Sequence, residues 1–101
     1  MLGMPNPVAD PVAHVFGRSV RDERGCLVWT GAATQGYGYV RVRRRLWRVH
    51  RFVYEHLLAA IPPGHDIDHA CGNRRCIEPA HLRALPMAAH RRLHARARWA
   101  A

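Results

Sequence analysis

The amino-acid sequence predicts one small α+β domain, and three observations carry that prediction. The chain has 101 residues, 49 % of them hydrophobic, enough for one modest core and too many for a disordered basic tail. Its middle alternates apolar and charged residues as a strand does, with Val40 and Val42 set between Arg41 and Arg43. A helical-period apolar stripe follows, and Pro62-Pro63-Gly64 stops it.

Residues 1–20 read as a flexible arm, because Pro and Gly recur and no period holds. Val12, Val15 and Phe16 are available there to dock a short turn. The domain proper is expected over residues 21–101. Residues 26–30, CLVWT, are β-prone, and GAATQGYG after them is a glycine-rich loop. Residues 37–42 and 46–49 form a hairpin with its tip near 43–45, Arg45 and Arg48 lying together on the second face. That tip lacks the Gly or Asn that tight hairpins favour. A helix is expected over 49–60, with Val53, Leu57 and Ala60 as its stripe and Phe52 and Ile61 beside it. HDIDH is a short strand with Ile67 as its apolar member, and ACGNRRC a compact loop. Pro79 suits the start of a single helical turn near Glu78 to Leu82. A final helix runs over 86–98, with Leu85, Met87 and Leu93 as core contacts.

Charge narrows the partner. All sixteen basic residues are Arg, and against seven acids they leave a net charge of +9. Arg41, Arg43, Arg44, Arg45, Arg48 and Arg51 fall within eleven residues, and Arg91, Arg92, Arg96 and Arg98 crowd the last helix. Six like charges so close repel one another unless a partner or counterions relieve them, so the hairpin cluster points to nucleic acid rather than a plain solvated face. Arg also suits bidentate phosphate contacts. Such contacts supply affinity and salt dependence but no sequence choice.

No apolar run reaches the ~20 residues that span a bilayer. The N-terminal segment lacks a basic region and is interrupted by prolines, which argues against a signal peptide and for a cytoplasmic protein. Three cysteines cannot all pair within the chain. Cys71 and Cys76 lie between His69 and His81, and in a reducing compartment such clusters bind metal more often than they form disulfides. A structural metal is also a common remedy for a small core.

Several blocks, in order, resemble the HNH (His-Me finger, ββα-metal) endonucleases of the phage and His-Cys box type. They are Gly25-Cys26-Leu27-Val28-Trp29-Thr30-Gly31, Gly36-Tyr37-Gly38, His50-Arg51, Asp68-His69-Ala70-Cys71 and Cys76-Ile77-Glu78-Pro79-Ala80-His81-Leu82. The likeness covers about residues 25–92. It implies a zinc-stapled ββα-metal finger preceded by a β-hairpin and helix, acting as a DNA endonuclease. Cys26, Cys71, Cys76 and His81 would be the zinc ligands, a donor set that suits a closed tetrahedral Zn²⁺ site. His69 would be the general base, a task suited to a side chain whose pKa lies near neutrality. Asp68 and His90 would hold one catalytic Mg²⁺ or Mn²⁺, with His94, four residues on, as an additional candidate ligand. Arg51 would contact the scissile or an adjacent phosphate, and Arg41, Arg43, Arg44, Arg45, Arg48, Arg91 and Arg92 the rest of the DNA.

Double-stranded DNA is the expected substrate, with RNA an open alternative. The oligomeric state, monomer or homodimer, is not legible. One departure stands out, since Glu78 occupies the place of the family's middle Asn. It supports an alternative, a zinc-stabilised nucleic-acid-binding module with weak or no catalysis. A zinc-stabilised protein-interaction domain is a third reading. Signatures of zincin peptidases, zinc deaminases, serine hydrolases and phosphate-binding glycine loops are absent.

Overall fold

The computed structural model describes residues 10–100, with side chains through residue 93. A short helix, α1 (Pro11–Gly17), is opened by Pro11 and capped by Asp10, whose carboxylate accepts from the Ala13 amide at 3.1 Å. Two short antiparallel strands follow, β1 (Ser19–Arg21) and β2 (Leu27–Trp29). A three-stranded sheet comes next, in the order β3 (Ala33–Thr34), β4 (Tyr37–Val42), β5 (Arg45–Arg48). Helix α2 (Val49–Leu57) leaves β5 without a break. A second hairpin, β6 (His65–His69) with β7 (Leu82–Pro86), encloses the cysteine loop and a 3₁₀ turn at Pro79–His81. Helix α3 (Met87–Ala100) continues from β7.

Val15, Trp29, Val40, Val42, Val49, Phe52, Val53, Ile67, Ile77 and Leu82 form the core. Trp29 is its largest member, and its indole N–H donates to the Ala32 carbonyl at 2.9 Å. A Cβ on Gly31 or on Gly38 would lie 2.3 Å from the indole ring. The glycines of Trp-Thr-Gly and Gly-Tyr-Gly are therefore the space that the tryptophan occupies.

The structure corrects four expectations. The stretch before residue 20 is not a loose arm throughout, because Val15 in α1 is fully buried and α1 packs on α2; residues 1–9 lie outside the described residues. Helix α2 ends at Leu57, short of Ala60, and its buried stripe is Val49, Phe52 and Val53. Leu57 is 43 % exposed, because only the first turns of α2 are covered. Arg45 and Arg48 lie on opposite faces, since Arg45 stands opposite Val42 and Arg48 opposite Tyr39, and strand faces alternate. Met87 and Leu93 are exposed at 40 % and 43 %, and Ala89 and His90 are the half-buried residues of the helix between them.

The hairpin tip falls within residues 43–45, as the sequence predicts. It is a two-residue turn, Arg43-Arg44, with φ of 51° and 69°. Each side chain costs about 1 kcal/mol or more in this left-handed conformation, which Gly adopts freely. Arg44→Gly is therefore expected to stabilise the protein by about 0.5–1 kcal/mol, raising Tm by a few degrees. A thermal melt that shows no rise would contradict this turn geometry.

Candidate metal centre and active site

Two groups of chemistry-bearing side chains flank the β6–β7 hairpin. The first gathers Cys26, Cys71, Cys76 and His81, whose ligand atoms all lie within 4.8 Å of one another. Cys26 comes from far upstream, and the backbone explains its arrival. The Trp29 amide donates to the Arg75 carbonyl at 2.9 Å, the Ile77 amide donates to the Leu27 carbonyl at 2.7 Å, and Val28 bridges Cys76. Residues 75–77 thus run as a further strand along β2, setting Cys26 beside Cys76. Asn73 shapes the loop by accepting the Arg75 amide at 3.0 Å.

The donor set fits a tetrahedral cation. His81 Nδ1 lies 3.4 Å from Cys76 Sγ and 3.7 Å from Cys26 Sγ. Ligands at the usual Zn–S and Zn–N distances would be about 3.4–3.8 Å apart. Burial, aided by the Cys76 and Cys71 thiols beside it, pushes the Cys26 thiol up to about 12, and burial raises Cys76 as well. Three thiols cannot ionise together in so small a space without a cation to compensate them. The group could hold a metal such as zinc.

Glu78 sits at the edge of this centre. Its carboxylate accepts from the Ala80 amide at 3.2 Å, capping the 3₁₀ turn, and pairs with Arg21 of β1. The Arg21 guanidinium holds the Glu78 carboxyl below the usual carboxylate range. Where the family pattern has Asn, this side chain ties β1 to the turn that carries His81.

The second group lies at the end of β6. Alternation along the strand puts Asp66 and Asp68 on one face and Ile67 and His69 on the other. Asp68 is 7 % exposed and accepts from Arg83 Nε at 2.9 Å. His90 of α3 stands between the two carboxylates, with Nδ1 3.3 Å from Asp66 and Nε2 3.5 Å from Asp68. Asp68 and His90, paired by expectation, are thus together. A small divalent ion at about 2.1 Å from each ligand would want neighbouring ligands about 3 Å apart, so the pair fits such an ion. His94 has its side chain outside the described residues.

His69, 9 % exposed, packs in a column of rings. Its centroid is 4.6 Å from that of His50 and 5.9 Å from that of Tyr37, and Tyr37 lies 5.5 Å from His50. The Arg74 guanidinium sits 5.0 Å from the Tyr37 ring, and its NH1 donates to the Gln35 carbonyl at 3.1 Å. The cysteine loop therefore braces the far end of the ring column. Burial, then the neighbouring His69, hold the His50 imidazole down to about 3, from an ordinary 6.5.

A sign follows for stability. Between about 3 and 6.5, folded His50 stays neutral while unfolded His50 takes up a proton, so acid favours unfolding across that window. Tm is expected to fall as pH drops from 7 to 4, and more gently in His50→Gln. Equal slopes in parallel melts would remove this assignment.

Arg51, expected at a phosphate, points its NH1 at Asp66 from 3.5 Å, with both side chains 36 % exposed. With Gln35, Tyr37, Arg48, His50, Asp66 and His90, it lines an open cleft of about 250 Å³. Arg41, Arg43, Arg44, Arg45, Arg48, Arg91 and Arg92 are all exposed. Sequence reasoning passed over Tyr37, Asp66 and Arg74 as site residues. Asp66 was within reach of it, because i and i+2 on a strand share a face with Asp68. Arg74 and Tyr37 meet only through the tertiary fold.

The geometry agrees with what the chain is similar to. A sequence model of the HNH endonucleases matches residues 48–92, from the end of β5 into α3. "Protein 7.7" of Escherichia phage T7 is 38 % identical over 58 residues, which are 56 % of this chain and 45 % of that protein. "Uncharacterized gene 5.3 protein" of Enterobacteria phage T3 is 32 % identical over 74 residues, 65 % of this chain and 73 % of that protein. The match thus spans less than half of the first relative's length and about three quarters of the second's. No solved structure matches the chain. Because the family match runs through His50, Asp68, His69, His81 and His90, the residues that the fold gathers on either side of β6, the chain belongs to the HNH endonuclease family.

Proposed function

We propose that the protein is a metal-dependent endonuclease that hydrolyses phosphodiester bonds in double-stranded DNA inside the host cell. One observation carries this reading: at the end of β6, Asp68 pairs with His90, and His69, the next residue, packs on His50, which together with His90 lines a cleft walled by Arg48 and Arg51. His69 takes a proton from the attacking water, whose oxygen bonds to phosphorus as the P–O3′ bond breaks. The leaving 3′ oxygen is protonated from solvent, and the products carry 5′-phosphate and 3′-hydroxyl ends. Arg48 and Arg51 hold the phosphates that flank the cut. Asp68 and His90 would hold a divalent ion, Mg²⁺ or Mn²⁺, which supplies electrostatic stabilisation of the charge on the phosphate and the leaving oxygen. Packed against His69 with the rings tilted by 34°, the His50 ring keeps that imidazole facing one way.

Cys26, Cys71, Cys76 and His81 hold a structural Zn²⁺ in this reading. Arg41, Arg43, Arg44, Arg91 and Arg92 add phosphate contacts around the site. Glu78, the departure that favoured a binding module without efficient catalysis, is occupied by Arg21 and the cap of the 3₁₀ turn. The test is conversion of supercoiled plasmid by zinc-loaded protein, with Mg²⁺ or Mn²⁺ and without. Metal-dependent nicking or linearisation supports the nuclease. Plasmid that is bound but left intact under every metal condition would replace the nuclease with the binding module.

A further inference from the structure

The arginine hairpin has two unlike faces. On one, Arg45 lies 3.8 Å over the ring of Trp47, which also meets Phe52 edge-on, and Val40 and Val42 are buried there. That face packs on the core, around a depression of about 390 Å³ of its own lined by Val42, Arg45, Trp47 and Phe52. The other carries two cross-strand pairs, Tyr39 opposite Arg48 and Arg41 opposite Leu46. Ring, guanidinium and aliphatic side chains therefore alternate diagonally across it. Leu46 is 56 % exposed, and Tyr39 is half-buried. Between them is a depression of about 370 Å³ that Thr34 and Trp47 help to line. Arg48 lines both this depression and the cleft beside His90. Tyr37, two residues before Tyr39 on the same strand face, carries the surface on, with Arg48 5.8 Å from its ring.

We propose that this outer face is a track for an unpaired DNA strand, which stacks a base on Tyr39 against Leu46, sets its phosphates on Arg41 and Arg48, and passes Arg48 into the cleft. The face and an unpaired strand are chemically complementary. A duplex offers a protein surface its phosphates and sugars, with base faces stacked away, and arginines alone would suit it. Aromatic and apolar side chains set between cations suit a strand whose base faces are open. The occupant's charge matches the arginines, and the track is continuous with the cleft. The proposal rests on the nucleic-acid reading above but not on catalysis. It assigns to the nuclease a substrate with a single-stranded stretch next to the cut, such as a frayed, gapped or branched duplex.

The test is fluorescence anisotropy of zinc-loaded protein, without Mg²⁺ or Mn²⁺, on a 12-nucleotide single strand and on a duplex of the same length. Leu46→Ala and Tyr39→Ala are expected to raise Kd for the single strand about fivefold or more, and for the duplex about twofold or less. Tyr39→Phe, which keeps the ring, should bind the single strand as wild type does. Arg41→Ala should weaken both. Leu46 is exposed, so its variant reads the face even where Tyr39→Ala folds poorly. The proposal is overturned if Leu46→Ala binds the single strand like wild type, or loses single strand and duplex equally. Plasmid cutting by wild type separates the two readings. A protein that cuts but shows no effect of Leu46→Ala loses the track alone; one that shows the effect but never cuts loses the nuclease alone.

Discussion

His69→Ala is expected to lower metal-dependent plasmid cleavage by about 10²–10⁴-fold, the usual worth of a positioned general base. DNA affinity should stay within about twofold, because the arginines proposed to bind phosphate stand on the hairpin, on α2 and on α3 rather than at His69. The imidazole is 9 % exposed and packs against His50, so removing it also leaves a small void. His69→Gln, which keeps most of the volume but accepts a proton poorly, separates the two effects. It should melt near wild type and cut as badly as His69→Ala. Initial rates of nicking, with anisotropy and melting on the same samples, decide the matter. A His69→Gln protein that cuts at the wild-type rate would move the base elsewhere, with His50 the nearest imidazole.

Removal of a metal held by the Cys26, Cys71, Cys76 and His81 cluster is expected to unfold the domain. Among the described residues the core cluster holds ten buried apolar side chains, and domains of this size have net stabilities of about 5–15 kcal/mol. A Cys₃His zinc site contributes on the order of 10 kcal/mol in comparable small modules. Its four ligands come from Cys26 just before β2, the loop that bears Cys71 and Cys76, and the turn that bears His81, so it reinforces segments otherwise joined by a few backbone hydrogen bonds and the Arg21–Glu78 pair. Elemental analysis should find one zinc per chain. A strong chelator should abolish the cooperative thermal transition, and Cys76→Ser should do the same without chelator. Mg²⁺ added to the chelated protein should restore neither. A chelated protein that melts at the wild-type temperature would show that the cluster is not what holds the fold.

The contrast between the two sites explains what could be read from the chain. Cys71, Cys76 and His81 are near neighbours in sequence, and a short loop has few ways to keep their donors apart. Asp68 and His69 are adjacent, and the His-Arg at the start of α2 precedes a clear apolar period. Cys26 lies 45 residues before Cys71. Its place beside Cys76 depends on backbone bonds between β2 and residues 75–77, which no periodicity encodes. Helix α3 was legible, but its buried face was not. With few large apolar residues described along it, the face turned to β6 is chosen by His90 meeting Asp66 and Asp68.

By itself, then, the sequence determined the α+β class, the basic character, the metal-type ligand set and the His-centred motif. All of these rest on residue chemistry, on local period or on spacings of a few residues. Only the tertiary structure decided which arginines share a face, because hairpin register and not sequence distance parted Arg45 from Arg48. Packing, too, placed Tyr37 and His50 against His69, carried Arg74 from the cysteine loop to the ring column, and turned Glu78 toward Arg21. Those contacts join segments tens of residues apart, and they form only when burial of Trp29, Phe52 and Ile67 brings the segments together.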